Sequence, residues 1–156
     1  MKQLTVPAQI VFLEEVLDFT ENKARDAGLY AKQLNNIGIA VEEVFVNITS
    51  YAYPSNTSLA SEASLAKLCN GEVTISVFVD SGRFIIEFTD TGMPYDPLAK
   101  DDPDTTQTAD EREIGGLGIF MVKNLMDDVR YRYEDGKNIL TIYKDINTIN
   151  DDGNKP

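Results

Sequence analysis

The sequence predicts an α+β fold, a two-layer α/β sandwich whose mostly antiparallel sheet is covered on one face by helices. Two strand-like pairs, 73–79 with 84–89 and 129–133 with 139–143, each flank a two-residue turn, Ser81-Gly82 and Asp135-Gly136. Short turns between alternating runs make antiparallel hairpins. Ahead of them, two long segments repeat apolar residues at helical spacing. Helices with one apolar stripe need a sheet face to bury it against.

Taken in order, Leu4 to Val6 reads as a short strand stopped by Pro7. From 8 to 27, Ile10, Leu13, Leu17, Ala24 and Ala27 form a helical stripe, and Gly28 is a good C-terminal stop. A second helix is expected from about 30 to 53, with Ile37, Val41, Val44, Ile48 and Ala52 on its buried side and Pro54 ending it. Gly38 weakens its first turns, since glycine costs ~1 kcal/mol against alanine in a helix. Residues 55–70 are rich in Ser, Ala and Asn and read as a loop. After the first hairpin, 95–113 turns polar, with Pro97, Pro103 and seven acids. Such a stretch inside a compact domain is usually functional or mobile. A helix over about 117–127 and the second hairpin follow, and the tail from Asp145 onward reads as a frayed end.

At 156 residues and 42% hydrophobic, the chain is most simply one domain with a sizeable core. Lys+Arg 14 against Asp+Glu 26 gives a formal charge of −12. That balance argues against direct nucleic-acid or anionic-membrane binding and leaves room for a basic protein partner. Cys69 is alone, so no intrachain disulfide is possible. No membrane span or signal peptide is legible, which makes the cytoplasm the expected compartment.

Three short segments carry the chemistry. The first, Ala40-Val41-Glu42-Glu43-Val44-Phe45-Val46-Asn47, puts Glu43 and Asn47 one turn apart on the border of the apolar stripe. They fit either a solvated helix edge or a functional pair. In the second case Asn47 offers an oxygen to Mg²⁺, and Glu43 is a general base for an attacking hydroxyl or water. The second segment, Asp90-Thr91-Gly92-Met93-Pro94-Tyr95, ends a strand. It suits a plain turn, or a nucleobase site in which Asp90 accepts from an exocyclic amine and Gly92 lets a flat ring approach. Thr141 on the last strand is a candidate hydroxyl for the same pocket. The third, Gly115-Gly116-Leu117-Gly118, opens an apolar helix. It fits loop geometry or a phosphate cradle built on backbone N–H groups and the helix dipole. It is neither a Walker loop nor a dinucleotide fingerprint. The three together, in this order, point to an ATP site.

In those segments the sequence resembles the GHKL (histidine kinase-like, or Bergerat) ATPase superfamily. Within it, the chain is similar to the small bacterial anti-sigma factor serine/threonine kinases, the switch-protein kinases. The likeness runs from Gln3 to about Lys144 and includes the opening Leu4-Thr5-Val6-Pro7-Ala8. It takes in the run from Ile39 through Asn47 to Tyr53, Asp90 through Pro97, and Gly115 through Asp127. The resemblance implies an ATP-binding domain over 1–144 with a mobile ATP lid at 95–114, followed by a disordered polar tail at 145–156. It implies Glu43 as catalytic base and Asn47 as the Mg²⁺ ligand. Asp90, Gly92 and Thr141 would then surround adenine, with the backbone of Gly116, Leu117 and Gly118 on the phosphates.

The resemblance also implies a homodimer that phosphorylates a serine on a small anti-anti-sigma (antagonist) protein and sequesters a sigma factor. Arg112 is offset from the arginine that reaches the γ-phosphate in some members, and the lid is longer and more acidic than theirs. Two alternatives stay open: a trans-acting partner of a two-component system, and a non-catalytic module whose nucleotide gates partner binding. With no histidine in the chain, autophosphorylation on histidine within it is excluded.

Overall fold

The computed structural model describes residues 1–52, 71–99, 101 and 117–146. Five strands form one antiparallel sheet in the order β1-β2-β3-β5-β4, with β1 Lys2–Pro7, β2 Glu72–Asp80, β3 Arg83–Asp90, β4 Asp128–Glu134 and β5 Lys137–Asp145. Three helices, α1 Leu13–Asp26, α2 Ala31–Asn47 and α3 Leu117–Leu125, supply the second layer. The expected α+β sandwich is the fold. No helix among the described residues is long and apolar enough to cross a membrane.

Both hairpins turn as their sequences predict. Ser81 and Gly82 have φ of 50° and 77°, and Asp135 and Gly136 repeat this at 51° and 75°. Two successive positive φ values match the right-handed twist of the flanking strands. The registers follow, with Asp80 opposite Arg83 and Glu134 opposite Lys137.

Alternation then divides the strands into two faces. Val73, Ile75 and Val77 of β2, Phe84, Ile86 and Phe88 of β3, and Leu140 and Ile142 of β5 share one core with Val16, Ile37, Val41, Val44 and Phe45 of the helices. The opposite face is more polar. There Gln3 bonds Ser76, Thr5 bonds Thr74, and Arg132 pairs with Glu87. Arg83 and Arg130 flank the Tyr143 ring.

The helix ends depart from the expected bounds for local reasons. Residues Ile10–Phe12 form a 3₁₀ turn, so the α-helix expected from Ala8 begins at Leu13. Its C-terminus is a complete Schellman closure, with Leu29 N–H donating to Ala24 O and Gly28 N–H to Arg25 O, at a Gly28 φ of 87°. Helix α2 runs straight through Gly38. A Cβ there would meet only the end of the Glu21 side chain on α1, with Oε1 at 3.0 Å. The α2 ladder stops at Asn47 and widens into a π turn, Ile48–Ala52, where an α-helix to residue 53 was expected.

At the far end, Gln33 Nε2 donates to Asp145 O and ties β5 to the start of α2. Lys144 Nζ donates to Leu125 O at 2.9 Å, placing a cation on the last turn of α3. Strand β5 runs through Asp145, and Ile146 N–H bonds Gly82 O. Most of the predicted lid, Arg112, Gly116, the 55–70 loop and the rest of the tail lie outside the described residues.

Candidate functional site

The two sequence motifs on α2 and β3 meet at one end of the sheet. A cleft partly open to solvent lies between the C-terminal end of α2 and the paired ends of β3 and β5. Val44, Ile48, Ala52 and Leu140 make it apolar, while Asn47, Asp90, Tyr131 and Asn138 supply its polar groups, and Tyr95 and Pro97 complete it. Apolar walls with a few fixed polar atoms suit a flat organic ring.

Asp90 ends β3 on the helix-covered face and is only 4% exposed. Burial pushes its carboxyl above the ordinary value of 3.8, against the opposing pull of hydrogen bonds from Asn138 and Gly92. Both bonds fall on Oδ1, from Gly92 N–H at 2.8 Å and Asn138 Nδ2 at 2.9 Å. No described residue donates to Oδ2. A buried carboxylate with one oxygen bound and the other open is incompletely satisfied.

Gly92 is required by close approach. A Cβ there would lie 2.6 Å from both Cβ and O of Ala52. Met93 N–H donates to that same Ala52 carbonyl at 3.1 Å, so the turn after β3 docks on the π turn after α2. Tyr51 and Tyr95 stack across the junction at 5.2 Å and 17°. π turns often sit at functional positions, and this one brings Ala52 to the Asp90 turn.

Glu43 and Asn47 are half-buried on one face of α2. Asn47 lines the cleft. Glu43 lies against the first turn of α3, where a Cβ built on Gly118 would overlap its carboxylate and sit 3.1 Å from Cδ. Neither the Glu43 nor the Asn47 side chain has a hydrogen-bonded partner among the described residues. Leu117 is exposed at the start of α3.

Thr141 is not brought to the cleft, which corrects the expectation. It pairs with Glu87, three positions from the Asp90–Asn138 pair, and an odd offset puts it on the opposite face. Its hydroxyl donates to Glu87 Oε2 at 3.4 Å. Asn138 occupies the place instead, directly across from Asp90 and 6% exposed. Sequence reading missed it, because the pairing of β5 with β3 that puts Asn138 across from Asp90 is not set by the residues around either one. Tyr131 on β4 was missed as well, and its phenol donates to Asn138 Oδ1 at 2.7 Å.

Comparison with known proteins matches residues 6–144 to the histidine kinase-like ATPase domain model. A serine-protein kinase RsbW of Listeria monocytogenes serovar 1/2a is 25% identical over 121 residues, covering 75% of this chain and 69% of the relative. One from Bacillus cereus strain B4264, bearing the same name, is 24% identical over 157 residues, 97% of this chain and 90% of the relative. Among solved structures, the RsbU and RsbW domains of Rv1364c from Mycobacterium tuberculosis superpose with a TM-score of 0.57 at 14% identity. That match covers 93% of this chain, which spans 32% of the larger one.

Proposed function

This chain belongs to the histidine kinase-like ATPase domain family, and from that premise we propose that it is an ATP-dependent protein serine/threonine kinase. Its acceptor is a serine on a small anti-anti-sigma antagonist, and in its other state it sequesters a sigma factor. The observation that carries the reading is convergence. Asp90, with one oxygen open among the described residues, and Asn47, whose side chain has no partner among them, line one cleft, and Glu43, one turn from Asn47 on α2, lies against the first turn of α3. The kinase names of these relatives, one of which covers 97% of the chain, favour transfer to a protein over hydrolysis.

In this reading adenine enters between the apolar walls, and its 6-amino group donates to Asp90. The triphosphate extends toward the start of α3, where the backbone of Gly116, Leu117 and Gly118 meets it. No basic side chain lines the cleft among the described residues. No cluster of three His, Cys, Asp or Glu side chains among them offers a metal cage either. Asn47 would hold a magnesium ion through its amide oxygen, the donor type that this ion prefers. Magnesium would supply charge neutralisation on the phosphate oxygens.

Glu43 would take the proton from the acceptor serine hydroxyl. The serine oxygen bonds to the γ-phosphorus, the bond to the β-phosphate oxygen breaks, and ADP leaves. The domain spans residues 1–144, acts in the cytoplasm and works as a homodimer, with 95–114 as the lid over the nucleotide.

Incubation with γ-labelled ATP, magnesium and the cognate antagonist tests the proposal. Label moving onto an antagonist serine is the expected result. Label released only as inorganic phosphate makes the protein a hydrolase. ATP binding without turnover of either kind makes it a nucleotide-gated binding module.

A further inference from the structure

Asn138 has used every hydrogen-bonding position it owns. Its Nδ2 donates to Asp90 Oδ1 at 2.9 Å and to Met93 O at 3.0 Å, with Gly92 O at 3.4 Å sharing a proton. Its Oδ1 accepts from Tyr131 Oη–H at 2.7 Å and from Tyr95 N–H at 3.2 Å. An amide has two donor protons and two acceptor lone pairs, so nothing is left for a ligand. The orientation is unambiguous: a backbone N–H can only donate, and a backbone carbonyl can only accept. The partners Tyr95 and Met93 thus forbid the flipped amide. A flipped amide would also turn an oxygen toward the Asp90 carboxylate.

We infer that Asn138 is the positioning residue through which this cleft selects a 6-aminopurine, by pinning one oxygen of Asp90 and leaving Oδ2 as a fixed acceptor. The inference rests on the reading of the cleft as a nucleotide site. An exocyclic amine at C6 donates to that oxygen, whereas the 6-oxo group of guanine or hypoxanthine would place acceptor against acceptor. Asn138 does not touch the base. It holds Asp90, and the network ties that hold to three elements: β4 through Tyr131, the Gly92–Met93 turn, and the segment carrying Tyr95. Without it, Asp90 keeps only the Gly92 N–H and is free to rotate about its side-chain torsions.

The test measures affinity for ATP and for purine riboside triphosphate, which lacks the 6-amino group, on the full chain by calorimetry. Wild type should prefer ATP by about tenfold or more, the usual worth of a hydrogen bond to a charged acceptor. Asn138→Ala should bring the two affinities within about threefold by weakening ATP alone. A residue with a merely structural role would lower both affinities alike and keep their ratio, and that result overturns the inference. If Asn138→Ala loses its cooperative melting transition, Asn138→Ser is measured in its place under the same criterion. Equal wild-type affinity for the two nucleotides also overturns the inference but leaves the nucleotide site standing. No affinity for either overturns both.

Discussion

The two halves of the candidate site, the cleft around Asp90 and the α2 face bearing Glu43 and Asn47, are built on opposite plans. Around Asp90 the polar atoms are locked to one another: Gly92, Asn138, Tyr131 and Tyr95 form a continuous hydrogen-bonded set on a buried sheet end. Around Glu43 and Asn47 the functional atoms are half-buried and have no partner among the described residues. The contrast follows from what each end is proposed to hold. A nucleobase is rigid, so its acceptor can be fixed beforehand and gains selectivity from being fixed. Phosphates and a hydrated cation bring their own charges, and donors already committed to the protein would first have to be freed.

The largest expected effect breaks the open end alone. Glu43→Gln removes the proposed base while keeping its shape against Gly118. Transfer to the antagonist in single turnover should fall by about 10²–10⁴, with ATP affinity within about twofold of wild type. Equal loss of both in a folded variant would remove Glu43 from the base role.

Asp90→Asn tests the locked end. Its amide oxygen can keep the bonds from Gly92 and Asn138, but its NH₂ would face the adenine amine. ATP affinity should drop by about 10–100-fold, the worth of a charge-assisted hydrogen bond. Stability should move the other way. Because burial raises the Asp90 pKa, the folded protein holds this proton more tightly than the unfolded chain does. Wild-type stability therefore falls as pH rises from 3.8 through the folded pKa, then levels off. The variant lacks this term, so its stability relative to wild type should grow across that window in denaturant titrations. A gap that shrinks with rising pH would contradict the burial argument.

The same glycine-to-alanine change sharpens the comparison further. At Gly92 the added methyl meets the Ala52 backbone carbonyl and Cβ at 2.6 Å, and neither can swing away. Gly92→Ala should cost about 1–3 kcal/mol in stability. At Gly118 the obstacle is the end of the Glu43 side chain, which can rotate. Gly118→Ala should leave stability within about 1 kcal/mol of wild type, since alanine also favours the helix. It should slow transfer by displacing the carboxylate. Equal destabilisation at both positions would show that Glu43 is held as firmly as the Ala52 backbone.

Local signals were strong where the physics is local. Ser81-Gly82 and Asp135-Gly136 announced their turns because successive positive φ values suit so few residues, and Gly28 announced a helix end for the same reason. The Glu43–Asn47 spacing placed both on one face of α2. Gly38 misled in the other direction, since α2 is held by burying Ile37, Val41, Val44 and Phe45 in the common core, a contact that local propensity does not report. Thr141 and Asn138 show the limit most clearly. They sit three residues apart on one strand, and which of them faces Asp90 depends on the pairing of β5 with β3 across an interval of 48 positions. Nothing near Thr141 in the chain reports that parity.

The amino-acid sequence by itself determined the element types, the turns, the helix stops and the three chemical segments, because each depends on backbone preferences and periodicity within a few residues. The tertiary structure alone decided which side chains share the cleft: Asn138 and Tyr131 beside Asp90, Gly118 beneath Glu43, and Thr141 on the far face. Strand register and helix crossings set those neighbours, and both are chosen by burying one common core rather than by any residue's own propensity.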